Sequence, residues 1–243
     1  MHICKKYDIW FIDDIVYRGT EFKEVNSTVP AISLKITDKV ITMIGMSKAY
    51  GVPNMRVGML IAPEDIIYSA KDDIFNNLNS TPDLNLYLIG KIFETGNSGY
   101  YELYLKDLNS YYIKNNEVLN FIINGKFDNM YRNLYPNVYK ELDELKGLLP
   151  KINGVKTIGQ PEAGFFKVLD FSSLLGKTYK DITINDSYDF AKITLKYFNV
   201  KVLSSYGMLW PDDILAIRFS LAEDINTTIE GLRRISKIID EAK

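Results

Sequence analysis

Lys48 follows an apolar run, Ile41 to Met46, and Arg56 precedes a second, Val57 to Ala62, so an amine and a guanidinium stand eight residues apart across one polar loop. Small or turn-forming residues flank both: Gly45, Ser47, Ala49, Gly51, Pro53, Asn54 and Gly58. A lysine at the end of a buried strand has its charge held near apolar walls. Burial disfavours the ammonium form and leaves an amine that attacks carbonyls. The plain alternative is a solvated loop lysine, as most lysines are. Asp14 and Tyr17 lie just beyond another apolar run, Tyr7 to Ile12. In open α/β sheets ligands sit outside the carboxyl ends of the strands, so both side chains are placed to reach one. Equally, Asp13 or Asp14 can simply begin a turn. Arg218 stands inside the apolar run Ile214 to Ser220. A guanidinium there needs a partner. That partner is either an acid on the same sheet or a bound carboxylate gripped through two parallel hydrogen bonds.

Composition removes most other chemistries. The 243 residues hold one histidine, His2, and one cysteine, Cys4. Histidine-based triads, zinc sites, a disulfide framework and a multi-cysteine metal site are therefore not expected, and no metal is assigned. Acid–base and nucleophilic work falls to Lys, Asp, Glu or Tyr. Gly45-Met46-Ser47-Lys48 lacks the Gly-x4-Gly-Lys spacing of a nucleotide phosphate loop. A net charge of −2 gives no electrostatic case for nucleic acid or an anionic membrane. No apolar run reaches 18 residues, and the N-terminal residues lack a signal-peptide layout, so a cytoplasmic protein is expected.

The elements that must position these groups are readable in outline. Residues 1–6 resemble the last turn of a helix, with Lys5 and Lys6 at its C-terminal end. Tyr7 to Ile12, Ile41 to Met46 and Val57 to Ala62 read as sheet strands. Pro63-Glu64-Asp65 opens a helix to about Asn77. Asn79-Ser80-Thr81-Pro82 breaks the chain. Asp83 to about Asn124 is too long for one ordinary helix and carries a Gly96-to-Gly99 interruption, so two helices are expected, one bridging two domains. A helix near Tyr135 to Leu149 follows. Val155 to Ile158, Phe165 to Phe171, Val200 to Leu203 and Ile214 to Ser220 read as strands. Asp186 to Tyr197 is helical with Asn185 or Asp186 as cap. Thr227 to Ala242 is an amphipathic helix with Ile229, Leu232, Ile235, Ile238 and Ile239 on one face. Mixed strands and helices in this half suggest an α+β unit.

Three motifs, in this order and at this spacing, resemble the fold type I pyridoxal-phosphate enzymes of the class I/II aminotransferase family. Asp14-Ile15-Val16-Tyr17 is similar to the family's Asp-x-x-Tyr, Ser47-Lys48 with Arg56-Val57-Gly58 to its Ser-Lys…Arg-x-Gly, and Arg218-Phe219-Ser220 to the late arginine strand of its small domain. The resemblance implies an α/β fold. Residues 1–105 would be a partial, mostly parallel large domain with the interdomain helix, and residues 106–243 a small C-terminal α+β domain. It implies pyridoxal 5'-phosphate as cofactor, with Lys48 as Schiff-base lysine and acid–base group. Asp14 would pair with the pyridine nitrogen, Tyr17 would donate to the ring oxygen, and Arg56 with Ser47 would bind the phosphate. Arg218 would grip the substrate carboxylate. An amino acid and a 2-oxo acid are the implied substrates, and a homodimer the implied assembly, with Asn79, Ser80 and Thr81 facing a neighbour's site.

The chain departs from the family pattern at three places. Gly45 stands where many members have a second phosphate-binding serine, and Leu203-Ser204-Ser205-Tyr206-Gly207 stands where many have Pro-Gly. The part of the cofactor domain that precedes the Asp-x-x-Tyr strand is not in these residues, so a C-terminal portion is expected, with a separate or preceding N-terminal half. Alone it would expose a sheet edge and an apolar face. The same residues also serve lyases, decarboxylases and cyclases, and a non-catalytic remnant or interaction module is the alternative from a different class.

Overall fold

The computed structural model describes residues 1–23, 28–78, 81–94 and 98–243. The expected break at Asn79-Ser80 and the Gly96-Asn97 part of the expected interruption lie outside the described residues. The chain divides into two compact units, Met1–Asn109 and Ser110–Lys243.

The first unit is built on a three-stranded sheet of order β1-β2-β3, from β1 (Phe11–Asp14), β2 (Val40–Gly45) and β3 (Gly58–Ile61). β1 and β2 run parallel, with Asp14 opposite Met43. β3 returns antiparallel, with Gly45 opposite Gly58, because the loop between them doubles straight back. β1 lies later than the expected Tyr7 to Ile12. Those residues are used by the exit from α1 (His2–Lys6): the Tyr7 N–H bonds Ile3 O at 3.0 Å, the Ile9 N–H bonds Cys4 O at 2.9 Å, and Asp8 takes φ 56°. Asp14 is therefore the last residue of its strand rather than one just past it. α2 (Glu64–Leu78) and α3 (Asp83–Glu94) follow, and the unit boundary falls within α4 (Ser98–Asn124).

The second unit holds a four-stranded antiparallel sheet, order β4-β5-β9-β8, from β4 (Lys156–Ile158), β5 (Phe166–Asp170), β8 (Leu203–Ser204) and β9 (Ala216–Ser220). A two-stranded hairpin, β6 (Thr178–Tyr179) with β7 (Ile182–Thr183), stands apart from it. α5 (Pro136–Leu145), α6 (Ser187–Phe198) and α7 (Ile225–Glu241) complete the unit. Asp186 caps α6, its carboxylate accepting from the N–H groups of Tyr188 and Asp189. The strand expected at Val200 to Leu203 shrinks to Leu203–Ser204. The helix claims its start: Asn199 takes φ 52°, and the Val200 N–H still bonds Thr194 O at 3.0 Å. The apolar face of α7 supplies Leu232, Ile235 and Ile238 to a core that also takes Leu119, Tyr139, Leu142, Leu169, Phe171, Phe190 and Ile217. Burial of side chains this size contributes about 2 kcal/mol each.

Candidate active site

Strand direction brings five of the six candidate residues to one edge of the first sheet. The carboxyl ends of β1 and β2 share an edge because the strands are parallel, and the start of β3 joins them because it is antiparallel. Asp14 ends β1, Ser47-Lys48 follows the end of β2, and Arg56 precedes β3 by two residues. Tyr17 lies in the turn that leaves β1, where its carbonyl accepts from the Thr20 N–H at 3.1 Å and the Thr20 hydroxyl at 2.6 Å. Asn109 donates to Glu21 O at 3.0 Å, and Phe22 beside it is fully buried, so the end of this connection is anchored.

The Lys48 loop is closed at its neck by the Met46 N–H donating to Val57 O at 3.2 Å. Met46 and Val57 pack with Ile89 of α3, joined by Ile44, Tyr50, Val52 and Met55. Asn85 of α3 donates to Met55 O at 2.9 Å, which fixes the residue before Arg56. Nothing in the local sequence marks Asn85 for this duty. Arg56 takes a left-handed φ of 52°, uncommon for a residue with a side chain and frequent at functional sites. Its guanidinium donates to Pro53 O at 3.3 Å. Lys48 and Ser47 are half-buried, while Asp14 and Arg56 are exposed. Among the described residues neither Asp14 nor Arg56 enters an ion pair. Asp14 also makes the turn contact that its type suggests, accepting from the Val16 N–H at 3.2 Å.

The glycine at position 45 has a local cause. A Cβ there would lie 3.2 Å from Val16 Cβ, so a serine would press on the segment leaving β1. Beyond Lys48, Tyr50 stacks on Tyr101 with ring centroids 4.5 Å apart. Burial, then the Tyr50 contact, pushes the Tyr101 hydroxyl well above the usual phenol range. Gly51 has φ +64°, and a Cβ there would clash with the Tyr104 hydroxyl. Gly51→Ala is expected to cost about 1–3 kcal/mol, read as a lowered urea midpoint. Adding Tyr104→Phe should recover the contact but not the backbone strain; full recovery would mean that the left-handed conformation costs nothing.

Arg218 belongs to the second unit, in β9, opposite Val168 of β5 and Leu203 of β8. It is exposed and lies over the Phe166 ring, 4.1 Å from its centroid. No carboxylate among the described residues pairs with it. Asp170, on the same sheet face, instead accepts from the Ser172 N–H at 2.7 Å and from the Ser172 hydroxyl. The ion pair with an acid of its own sheet is thus not made, and the guanidinium faces a cleft of about 870 Å³ also lined by Lys201, Glu223 and Arg234.

Residues 1–87 match the family model for aminotransferase class I and II. An aspartate aminotransferase of Streptomyces avermitilis is 23% identical over 237 residues, covering 97% of this chain and 49% of that protein. Among solved structures, the aspartate aminotransferase of Rhizobium meliloti is 18% identical with a TM-score of 0.71, over 99% of this chain and 52% of that one. The aromatic aminotransferase of Pyrococcus horikoshii OT3 is 17% identical with a TM-score of 0.68, over 98% and 53%. The chain spans about half the length of these relatives. Its first 87 residues are thus similar to class I and II aminotransferases, and its fold corresponds to about half of these aminotransferase structures.

Proposed function

We propose that this chain supplies the Lys48 half of a pyridoxal-phosphate-dependent aminotransferase acting on an amino acid and a 2-oxo acid, working with the N-terminal half of the fold. The observation that carries this reading is the sheet edge where a half-buried Lys48 stands beside a carboxylate, Asp14, and a guanidinium, Arg56, neither of them ion-paired among the described residues. That donor set fits the cofactor. A lysine amine suits its aldehyde, a carboxylate its protonated ring nitrogen, and a guanidinium with the Ser47 hydroxyl its phosphate. Tyr17 would donate to the ring oxygen. When bound, pyridoxal phosphate supplies the electron sink that makes a substrate Cα–H bond acidic. Lys48 then moves the proton at that Cα, and Arg218 holds the α-carboxylate so that the bond to be broken is oriented. Two relatives are named aspartate aminotransferases and a Thermus thermophilus structure, 14% identical, was solved with maleate, so an acidic amino acid is the first substrate to try. A homodimer is the expected assembly.

The first sheet supports the need for a second half. Within the described residues β1 pairs only with β2, leaving its other edge open. Ile12, 61% exposed, shares its sheet face with Met43, also exposed. The same observation favours the second reading for the chain by itself, a non-catalytic remnant whose apolar face binds another protein. Borohydride reduction with pyridoxal phosphate and peptide mapping separates the two. The enzyme reading expects a stable adduct at Lys48 above the surface lysines, strengthened when an N-terminal half of the family fold is supplied. Labelling spread evenly over the lysines under both conditions would leave the remnant reading. Adding an amino acid and assaying keto acid then separates transamination from lyase, decarboxylase or cyclase chemistry.

A further inference from the structure

Lys167 is a charged residue inside the second unit that the reaction above does not use. It lies mid-strand in β5 and is 1% exposed. Its ammonium donates to three amide oxygens: Asn116 Oδ1 at 2.7 Å, Asn120 Oδ1 at 2.8 Å and Gln160 Oε1 at 3.0 Å. Three donors meet three acceptors, so the charged form is fully bonded. Asn120 and Gln160 also bond each other amide to amide, at 3.3 and 3.2 Å. Behind them on α4, Glu117 is fully buried and accepts from the Tyr139 hydroxyl at 2.8 Å and the Asp128 N–H at 2.7 Å. Tyr131, also buried, lies on the connection before α5.

The cage sits directly behind the Arg218 clamp. Successive strand residues face opposite sides. Lys167 and Leu169 are buried on the side that takes Asn116 and Asn120 of α4, while Phe166 and Val168 share the other side with Arg218. Phe166 carries the guanidinium on its ring and is the chain neighbour of Lys167. β5 is held at its edges by β4 and β9, and its back face is bonded to α4 through one ammonium.

The geometry points to Lys167 as a positioning residue that couples its own protonation to the Phe166–Arg218 carboxylate clamp through β5, an assignment that rests on the reading of Arg218 given above. A neutral amine offers two donors and one acceptor. One of the three amides must then turn its NH2 toward the nitrogen, and for Asn120 or Gln160 that breaks their mutual pair. The cage therefore has two arrangements, one for each protonation state. Burial, opposed by the charges of Glu117 and Asp128, brings the Lys167 ammonium down from 10.5 to about 8, so the change falls close to neutrality. Burial likewise pushes the Glu117 carboxyl up, its bonds to Tyr139 and the Asp128 N–H opposing this.

The test is a pH series on isotope-labelled full-length chain, following the Lys167 Cε and Arg218 Nε resonances. Both are expected to move with one midpoint near 8, away from the surface lysines at about 10.4. Glu117→Gln removes a charge that favours the ammonium and should lower both midpoints together. Lys167→Met should make Arg218 insensitive to pH between about 7 and 9; should that variant not fold, the wild type and Glu117→Gln still decide. An Arg218 signal that stays fixed while Lys167 titrates overturns the coupling, and a Lys167 midpoint among the surface lysines overturns the switch. Maleate added at pH 7 examines the clamp by itself: an unmoved Arg218 resonance ends the carboxylate reading, whereas the coupling is judged by the pH series alone.

Discussion

Lys48→Ala is expected to reduce amino-group transfer by more than about 10⁴-fold in the assembled enzyme while leaving the fold intact. The size follows from the two duties proposed for Lys48, which would be lost together: holding the cofactor aldehyde and moving the substrate proton; proton transfer alone is typically worth about 10²–10⁴. Lys48→Arg should be nearly as damaging, since a guanidinium keeps the charge but is neither a nucleophile nor a base at neutral pH. The fold should tolerate both changes. Lys48 sits half-buried in a turn whose backbone bond, Gly51 N–H to Lys48 O at 3.2 Å, does not involve its side chain, and the packing is done by Met46, Val57 and Ile89. A destabilisation of about 1 kcal/mol, the ordinary size for a single substitution, is expected. Lys48→Ala retaining a tenth of the wild-type rate would remove Lys48 from the reaction; a large loss of stability would make the lost rate uninformative about chemistry.

The parts of this site that were legible in the sequence are those where chemistry fixes residue type and local spacing. Ser47-Lys48 and Arg56-Val57-Gly58 are separated by one loop, and the loop must return antiparallel for both to meet an edge. Gly58 has a local reason as well: a Cβ there would stand 3.1 Å from Ile44 O across the strand pair. Strand limits were less legible. An apolar run marks burial but not hydrogen bonding, so Tyr7 to Ile12 reads as a strand although the chain spends Tyr7 and Ile9 on closing α1. Contacts between distant residues leave no local mark at all. The Gly51–Tyr104 approach and the cage of Asn116, Asn120 and Gln160 around Lys167 join segments that only the fold brings together. Lys167 even sits in the run Phe165 to Phe171 as an apparent interruption. Arg218 falls between these cases. The sequence leaves it a choice between an acid on its own sheet and a ligand, and register disfavours the first for Asp170. Val168, not Asp170, stands opposite it, and Asp170 is already bonded to Ser172.

Arg218→Ala is expected to lower kcat/KM for an amino acid or 2-oxo acid by about 10²–10³-fold. A guanidinium that bonds a carboxylate through two parallel N–H groups makes two charge-assisted bonds, each worth about 1.5–3 kcal/mol, less what water returns when they are lost. Arg218→Lys keeps the charge without the fork and should restore less than about tenfold. The division of the loss carries further information. A change confined to KM means that Arg218 serves binding equally in the ground and transition states. A change shared by kcat means that it also orients the Cα–H bond. Phe166→Leu takes away the ring beneath the guanidinium at 4.1 Å and, at this exposed site, should cost only a few-fold. A primary amine substrate without a carboxylate provides the control, because the wild type and Arg218→Ala should handle it alike. If Arg218→Ala slows that amine as much as it slows the amino acid, Arg218 supports the second unit rather than the substrate, and the carboxylate grip must be sought elsewhere.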